Sequence, residues 1–273
     1  MLYLVATPIG NLADFSTRAV ATLSQCDYIL CEDTRHSKIL LDHYNIKGVP
    51  LKSFHCFNEK ERENHVITDL KEGKNIALIS DAGSPSIADP GECLVAKCHD
   101  ENIPIRILPG PSACTAAVIL SGFSTQRFQF MGFVPKKHEE RKEFLLDALL
   151  YPYTSVCYET PHRILDTLEM LATLQPTRLA CLARELTKVH EEIIRRSAQD
   201  LWNYCKACPP RGEMALVIAG APNKDQELSL SPQEHVELLQ TAYALSKKEA
   251  IQLAATLRNT SRRSLYQTLL NEQ

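Results

Sequence analysis

Residues 76–91 form a segment with the sequence Ile76-Ala-Leu-Ile-Ser-Asp-Ala-Gly-Ser-Pro-Ser-Ile-Ala-Asp-Pro-Gly91. Its first four residues are apolar, which predicts a short strand that is covered on both faces. Asp81 then lies at the carboxyl end of that strand, where open α/β sheets bind their ligands. Gly83 and Gly91 let the backbone approach a ligand closely, and two prolines restrict the loop. We therefore predict a ligand-binding loop; an ordinary surface turn is the alternative, because the same residue types form turns.

Strands alternate with helices on both sides of this stretch. Apolar runs predict strands that begin at Leu2 and that cover 28–31, 76–79 and 105–108. Helical spacing predicts helices over 14–23, 37–44, 61–71, 92–101 and 113–120. Regular alternation of this kind favours a mostly parallel sheet with helices on its faces.

Most of these strands run into loops rich in polar residues, proline and glycine. The loops are Thr7-Pro-Ile-Gly10, Glu32-Asp-Thr-Arg35, Phe54-His-Cys-Phe-Asn-Glu59 and Pro109-Gly-Pro-Ser-Ala113. We interpret them as further parts of one site at the carboxyl edge of the sheet. For Glu32, Asp33 and Arg35 the alternative is a helix N-cap with a local ion pair.

A second α/β unit is predicted from a boundary near residue 120 onward. Its strands are expected after 122, over 154–158, 178–183 and 189–196, and over 214–219. Helices are expected after the charged segment 136–142, up to Leu174, and over 202–208. We thus expect an N-terminal α/β domain at 1–120 and a second α/β domain at 121–224.

The last part of the chain is predicted to be purely helical. A polar linker, Asn223 to Ser229, leads into two capping boxes, Ser231-Pro-Gln-Glu234 and Ser246-Lys-Lys-Glu249, and Ser261 can begin a third helix. The basic residues of the last two helices are Lys247, Lys248, Arg258, Arg262 and Arg263. This pattern predicts a helix-turn-helix-like nucleic-acid module at 225–273. A solvated helical cap that packs on the main body is the alternative.

Composition excludes several classes of protein. The chain has 273 residues, 44% of them apolar, and no apolar run long enough to span a membrane. Because no signal peptide is recognisable, we expect a cytoplasmic protein. The ten cysteines are scattered, with one C-x-x-C pair at 205–208, so we predict no metal site. A net charge of −3 argues against broad affinity for nucleic acid but leaves a local basic patch possible.

Taken together, the motifs resemble those of the bacterial 16S ribosomal RNA cytidine 2′-O-methyltransferases, which belong to the tetrapyrrole methylase superfamily. They are Thr7-Pro-Ile-Gly-Asn-Leu12, Glu32-Asp-Thr-Arg35, Ser80-Asp-Ala-Gly-Ser-Pro85 with Asp89-Pro-Gly91, Pro109-Gly-Pro111, Tyr158-Glu159 with Pro161-His-Arg163, and Ala183-Arg-Glu-Leu-Thr-Lys188. The chain departs from the family at Cys56 and Phe57, where an acidic residue and a histidine are usual, and at Ser84 and Arg211. The first departure weakens any role for the 54–59 loop.

The resemblance implies the class III methyltransferase fold: two α/β domains with a cofactor cleft between them, and a small helical module. It also implies S-adenosylmethionine as cofactor, 16S ribosomal RNA or the small ribosomal subunit as partner, and a homodimer. The cofactor-binding residues it implies are Pro8, Asp81, Gly83, Ser84, Ile87, Ala88, Ser112, Ala113, Tyr158, Glu159, Ala183, Arg184, Glu213 and Met214. No G-x-G-x-x-G is present, so the common dinucleotide fold is not supported.

Methyl transfer to a ribose hydroxyl needs alignment and loss of the hydroxyl proton, and a general base adds about 10²–10⁴-fold. Our catalytic candidates are Asn11, Glu32, Asp33, Arg35 and Glu185, with Glu159 as a further base and Arg184 or Lys188 as further phosphate ligands. Our RNA-contact candidates are Lys136, Lys137, Arg141, Lys142, Lys247, Lys248, Arg262 and Arg263, because phosphate contacts dominate affinity. Structural ion pairs, helix caps and a solvated charged face are the alternatives.

Three functions stay open at this point. The first is an RNA ribose methyltransferase that uses its tail to dock RNA. The second is a tetrapyrrole C-methyltransferase of the precorrin or uroporphyrinogen type, against which the basic tail counts. The third is a non-catalytic RNA-binding protein on the same fold, against which the complete set of site loops counts.

Overall fold

The computed structural model of the chain describes residues 1–221 and 230–271. The chain divides into two compact units, one of Met1–Ala113 with Leu186–Val189 and one of Cys114–Glu185 with His190–Gln273. The first division thus falls before residue 120, because all but the first residue of the helix at 113–121 belongs to the second unit. The predicted linker, Asn223 to Ser229, and the boundary after residue 224 lie outside the described residues.

The first unit contains a parallel sheet of five strands in the order β3-β2-β4-β1-β5. These strands are β1 Leu2–Val5, β2 Tyr28–Cys31, β3 Leu51–Ser53, β4 Ile76–Ile79 and β5 Ile105–Leu108. All four residues of β4 are buried, which confirms the strand covered on both faces. Strand β3 was not predicted, because three residues with a lysine at the centre carry no apolar run.

The helices of the first unit are α1 Thr17–Leu23, α2 Thr34–His43, α3 Glu59–Lys71 and α4 Glu92–Asp100, and a 3₁₀ turn covers Leu12–Asp14. Their apolar residues form one core on each face of the sheet. Local capping sets the starts of α1 and α2: the side chain of Ser16 accepts from the Ala19 amide, and that of Asp33 from the Arg35 amide. The helices predicted from 14 and 37 therefore begin at 17 and 34.

The second unit has a five-stranded mixed sheet in the order β6-β7-β10-β8-β9. These strands are β6 Phe128–Phe133, β7 Thr154–Glu159, β8 Leu179–Arg184, β9 Glu192–Ser197 and β10 Met214–Ile218. Only the pair β6 and β7 is parallel; the three other pairs in this sheet are antiparallel. The helices before the tail are α5 Ala113–Ser121, α6 His138–Leu150, α7 Ile164–Leu174 and α8 Ala198–Ala207.

Three further helices form the tail, α9 Pro232–Ala242, α10 Lys247–Leu257 and α11 Arg262–Asn271. Both predicted capping boxes are present, at Ser231 and at Ser246. The buried apolar residues of the tail, such as Leu239 and Ile251, belong to the same core as those of α6, α7 and the second sheet. The tail therefore packs on the second unit, and its role as a nucleic-acid module stays a prediction.

The structure corrects the assignment of Arg258 to the basic face of the tail. Its guanidinium donates to Nδ1 of the buried His235 at 3.0 Å and to the carbonyl oxygens of Leu230 and Ser231. Arg258 thus holds the start of α9 against the end of α10.

No helix within residues 1–221 and 230–271 is long and apolar enough to cross a lipid bilayer.

Candidate functional site

The loops that were predicted to form a site leave the same edge of the first sheet. Val5 pairs with both Ile79 and Leu108 in parallel register, so the carboxyl ends of three neighbouring strands lie side by side. The edge carries the first-unit members of the predicted set, which are Pro8, Asn11, Glu32, Asp33, Arg35, Asp81, Gly83, Ser84, Ile87, Ala88, Ser112 and Ala113. The structure therefore gathers the first-unit half of the predicted site.

Hydrogen bonds and unusual backbone angles fix the loop between Ser80 and Gly91. Thr7 and Gly83 exchange backbone hydrogen bonds of 2.8 and 3.1 Å, and the Ser80 hydroxyl donates to the Gly83 carbonyl at 3.0 Å. Ser86 and Ala88 adopt φ angles of 69° and 63°, which non-glycine residues rarely do. Backbone strain of this kind collects at ligand-binding sites. The loop is thus an ordered turn built on the sheet.

Gly91 is required at the end of this loop. Its φ is 128°, and a Cβ atom at this position would lie 2.6 Å from the side chains of Leu78 and Ser86. Its amide donates to the carboxylate of Glu59 at 3.0 Å, which ties the loop to the start of α3. Glu59 was not predicted to have a role. The two residues of this hydrogen bond are 32 positions apart in the chain, and a contact over that distance leaves no local signal in the sequence.

Three carboxylates meet at this edge: Glu32, Asp81 and Asp89. Burial, the charges of Asp89 and Asp81 and a hydrogen bond with Asp89 raise the pKa of Glu32 to about 7. Burial and the charge of Asp81 raise the pKa of Asp89 to about 6, against hydrogen bonds from Glu32 and Ser80 that lower it. Within the described part of the chain none of the three forms an ion pair with a basic side chain. The edge therefore carries partly buried negative charge that is not neutralised.

Asp89 was missed as a site residue, although its motif with Pro90 and Gly91 was recognised in the sequence. Its carboxyl reaches Glu32 because the loop after β4 reverses through Ser86 and Ala88. A reversal made by left-handed residues that are not glycine leaves no reliable signal in the sequence.

Asp33 and Arg35 have the local capping arrangement that was the alternative for them. The Asp33 carboxylate accepts from the Arg35 amide at 2.8 Å and pairs with the Arg35 guanidinium at 2.8 Å. These hydrogen bonds lower the pKa of Asp33. The Asp33 amide also donates to the Asp81 carboxylate at 3.4 Å, which orients Asp81. A catalytic role for Asp33 or Arg35 stays a prediction.

Asn11 lies beside the segment Leu186–Val189, which belongs to the first unit. Its side chain accepts from the Ala13 amide at 3.0 Å, and its own amide donates to the Thr187 hydroxyl at 3.0 Å. At Gly10 a Cβ atom would lie 2.5 Å from the side chain of Lys188. Close packing therefore places Lys188 next to the loop after β1. A catalytic role for Asn11 stays a prediction.

The second-unit members of the predicted set share one edge of the mixed sheet. Met214 of β10 pairs with Glu159 of β7 and with Arg184 of β8, and Tyr158 and Ala183 precede those partners. The Tyr158 hydroxyl accepts from the Cys114 amide at 3.1 Å. At this edge Glu185, with φ 51°, follows Arg184, and Glu213 precedes Met214; the Glu185 carboxylate accepts from the Glu213 amide at 2.9 Å.

The structure removes Glu159 from the candidate bases. Its carboxylate is buried, pairs with Arg163 at 2.7 Å and accepts from the Thr167 hydroxyl at 2.7 Å. A carboxylate that is fully committed to internal partners has no access to a substrate hydroxyl. Arg184 is likewise paired, with Glu192 at 2.6 Å.

Two predicted RNA contacts are also engaged inside the protein. Arg141 is 6% exposed and donates to the carbonyl oxygens of Pro135 and Lys136, so it is a structural residue. Lys142 pairs with Glu249 of the tail. The other candidates have exposed side chains: Lys136, Lys137, Lys247, Lys248, Arg262 and Arg263.

Across residues 1–221 and 230–271 no three His, Cys, Asp or Glu side chains are arranged to hold a metal ion.

Comparison with known proteins places the chain in a family. The family model of the Tetrapyrrole (Corrin/Porphyrin) Methylases matches residues 1–201. The chain is 44% identical to "Ribosomal RNA small subunit methyltransferase I" of Haemophilus influenzae, over 98% of this chain and 95% of that protein. It is 43% identical to the protein of the same name from a Synechocystis species, over 99% of this chain and 97% of that protein.

Solved structures share the fold at low sequence identity. Diphthine synthase superposes with a TM-score of 0.62 at 13% identity, covering 95% of this chain and 99% of its own. Uroporphyrin-III C-methyl transferase from Thermus thermophilus, in complex with S-adenyl homocysteine, superposes with a TM-score of 0.55 at 13% identity, covering 80% of this chain and 96% of its own. The chain therefore belongs to the tetrapyrrole methylase family and, within it, to the ribosomal RNA small subunit methyltransferase I family.

Proposed function

We propose that this chain transfers a methyl group from S-adenosylmethionine to the ribose 2′-hydroxyl of a cytidine in the decoding region of 16S ribosomal RNA. The observation that carries the proposal is the similarity of 39–44% identity to small-subunit methyltransferases I over nearly the whole chain, tail included. A protein of this activity works where small ribosomal subunits are found, in the cytoplasm.

The residues at the edge of the first sheet fit this cofactor. S-adenosylmethionine carries a sulfonium and an ammonium group, and Glu32, Asp81 and Asp89 supply negative charge without a basic partner in the described part of the chain. The ordered backbone of the 80–91 loop can approach a ligand closely at Gly83. We propose that Asp81, Gly83, Ser84, Ile87 and Ala88 hold the cofactor, together with Pro8, Ser112 and Ala113.

For this reaction the protein must align the ribose hydroxyl with the methyl group and accept the proton of that hydroxyl. When bound, S-adenosylmethionine supplies an electrophilic methyl group, and its carbon–sulfur bond breaks as the new carbon–oxygen bond forms. The proton of the ribose hydroxyl then needs an acceptor with a pKa near the working pH. Glu32, with a pKa raised to about 7, meets that requirement better than Asp33, whose pKa is lowered. We therefore assign Glu32 as the general base.

The RNA partner is supported by exposed cations outside this edge. Lys136 and Lys137 lie at the start of α6, and Lys247, Lys248, Arg262 and Arg263 lie at the starts of α10 and α11. Clustered lysines and arginines bind phosphates even when the net charge of the protein is negative. We keep these six side chains as the proposed RNA contacts and leave out Arg141 and Lys142, which have partners inside the protein. We also propose the homodimer that the family resemblance implies.

Two acceptors offered side by side test the substrate class. Labelled S-adenosylmethionine is supplied with small ribosomal subunits that lack the modification, or with uroporphyrinogen III. The proposal predicts transfer to the subunits and none to the porphyrinogen. The opposite result would support a tetrapyrrole methyltransferase, the activity that several structural neighbours carry in their names.

Cofactor binding is tested separately, by calorimetry on Asp81→Asn. We expect this variant to keep its fold, because Asp81 follows β4 and does not belong to the buried strand. Its affinity for S-adenosylmethionine should fall at least tenfold. Unchanged affinity would remove Asp81 from the proposed site.

A further inference from the structure

The loop at the carboxyl end of β3 exposes an aromatic ring that is not part of the hydrophobic core. Phe57 is 94% exposed, although a phenylalanine is among the residues most often buried. Phe54 of the same loop is fully buried, so the loop is anchored by one ring and presents the other. The side chains around Phe57 are short or polar, with Cys56 and Lys60 exposed and Asn58 half-buried. The exposed surface is therefore a single ring and not an apolar patch.

This loop is held in a defined shape. The side-chain carbonyl of Asn58 accepts from the His55 amide at 2.8 Å, and its amide group contacts the Ser53 carbonyl at 3.4 Å. The imidazole of His55 meets the ring of Phe57 edge to face, with centroids 5.9 Å apart. A ring on an ordered loop loses little conformational entropy when it binds, which favours its use in recognition.

The loop also lies beside the proposed catalytic edge. Strand β3 pairs in parallel with β2, and the Phe54 amide donates to the Cys31 carbonyl at 2.7 Å, directly before Glu32. At its other end Glu59 accepts from the amide of Gly91, which closes the 80–91 loop. The segment that carries Phe57 is thus bonded at both ends to segments that carry Glu32 and Asp89.

We propose that Phe57 is a stacking platform for a base of the RNA substrate next to the nucleotide that is methylated. The inference rests on the proposed function and adds a specificity residue to it. Single-stranded RNA is recognised by stacking of unpaired bases on aromatic side chains, for which one exposed ring suffices. Docking of a protein would instead need a contiguous apolar surface of several side chains.

The test is the dependence of methyl transfer on the concentration of small ribosomal subunits in a series of Phe57 variants. For Phe57→Ala we expect KM to rise between about 5-fold and 150-fold, since base stacking contributes about 1–3 kcal/mol per base. Its kcat and its affinity for S-adenosylmethionine should stay at wild-type values, because the ring touches neither reacting group. Phe57→Trp should restore KM and Phe57→Leu should not, because leucine is apolar but has no π-face. Cys56→Ser is the matched control in the same loop, with no expected effect.

Each outcome decides the proposal. A wild-type KM for Phe57→Ala, or a rise shared by Cys56→Ser, would overturn it. Full rescue by Phe57→Leu would also overturn it and would indicate an apolar contact with a ribosomal protein. Thermal unfolding of each variant excludes a folding defect, which truncation of so exposed a ring should not cause. If the wild-type protein transfers no methyl group to subunits, the proposed function is wrong. If the wild-type protein does transfer it and KM is the same in all Phe57 variants, only this inference is wrong.

Discussion

The residue that best shows how site chemistry opposes stability is Glu32. Burial and the carboxylates of Asp89 and Asp81 raise its pKa to about 7, so the folded state resists its ionisation. In the unfolded chain the carboxyl ionises near its ordinary pKa of about 4.3. Its contribution to stability is therefore full below that value and is lost as the pH rises through 7.

Replacement of Glu32 by Gln should accordingly stabilise the protein at alkaline pH. We expect the Tm of Glu32→Gln to exceed that of the wild type at pH 8 and to approach it at pH 5, where Glu32 is protonated in the folded state. Thermal unfolding at both pH values measures this. Asp42→Asn, at an exposed position of α2, is the control. A lower Tm for Glu32→Gln at pH 8 would contradict the raised pKa of this carboxyl group.

The same carboxylates predict the pH dependence of the reaction. If Glu32 accepts the proton, kcat should rise with pH through about 7, because only the ionised carboxylate is a base. Asp89→Asn removes a neighbouring negative charge, so the rising limb of the pH profile should move to lower pH. A limb at the same pH in Asp89→Asn would show that another group accepts the proton.

Besides the shared core, an ion pair joins the tail to α6. Lys142 donates to Glu249, which also completes the capping box at Ser246. The hydrogen bonds from Lys142 and Ser246 lower the pKa of Glu249 to about 2. The stabilisation is thus present above the ordinary pKa of glutamate and is lost as the pH falls towards 2.

Glu249→Gln should therefore reduce the free energy of unfolding by about 1 kcal/mol at neutral pH, a value set by partial exposure of the pair and loss of the cap. Urea denaturation at pH 7 measures it. Glu140→Gln, which breaks the exposed pair of α6 with Lys137, is the matched control and should have less effect. Equal effects would mean that the tail does not depend on its ion pair with Lys142.

We expect the basic residues at the start of α11 to supply part of the electrostatic attraction to RNA. The double variant Arg262→Gln and Arg263→Gln should weaken binding to the small subunit. The slope of log K against log salt should become shallower by about 1 for each phosphate that the variant no longer binds. Affinity for S-adenosylmethionine should not change. An unaltered salt slope would make these arginines part of a solvated face.

For the whole molecule, the packing of the tail changes how its role can be tested. If the tail were an independent module that docks RNA, deletion of residues 229–273 would weaken RNA binding and leave cofactor binding intact. The buried apolar residues of the tail, however, belong to the same core as those of α6 and α7, so its deletion would remove part of that core. We now expect that deletion to lower the Tm of the whole protein, which makes surface substitutions the cleaner test.

The sequence predicted most of the fold because its strands are short, apolar and bounded by glycine and proline, as in 76–79 and 105–108. It did not predict the antiparallel pairing of β8, β9 and β10, because the direction of a strand depends on connections that local pattern does not encode. Nor did it distinguish Glu159 and Arg141, which are buried, from exposed charges. Their burial depends on Arg163, Thr167 and Asp166, whose proximity only the folded chain reveals.

In the proposed function the ribose 2′-oxygen of a cytidine receives the methyl group, and the identity of the labelled nucleoside shows which atom does. Small ribosomal subunits that lack the modification are incubated with the protein and S-adenosylmethionine tritiated in its methyl group, and the 16S ribosomal RNA is digested to nucleosides and separated. We expect the label to migrate as 2′-O-methylcytidine, and we expect Asp81→Asn to abolish it at limiting cofactor. Label in a base-methylated nucleoside, in another ribose, or in no nucleoside would contradict the proposed function.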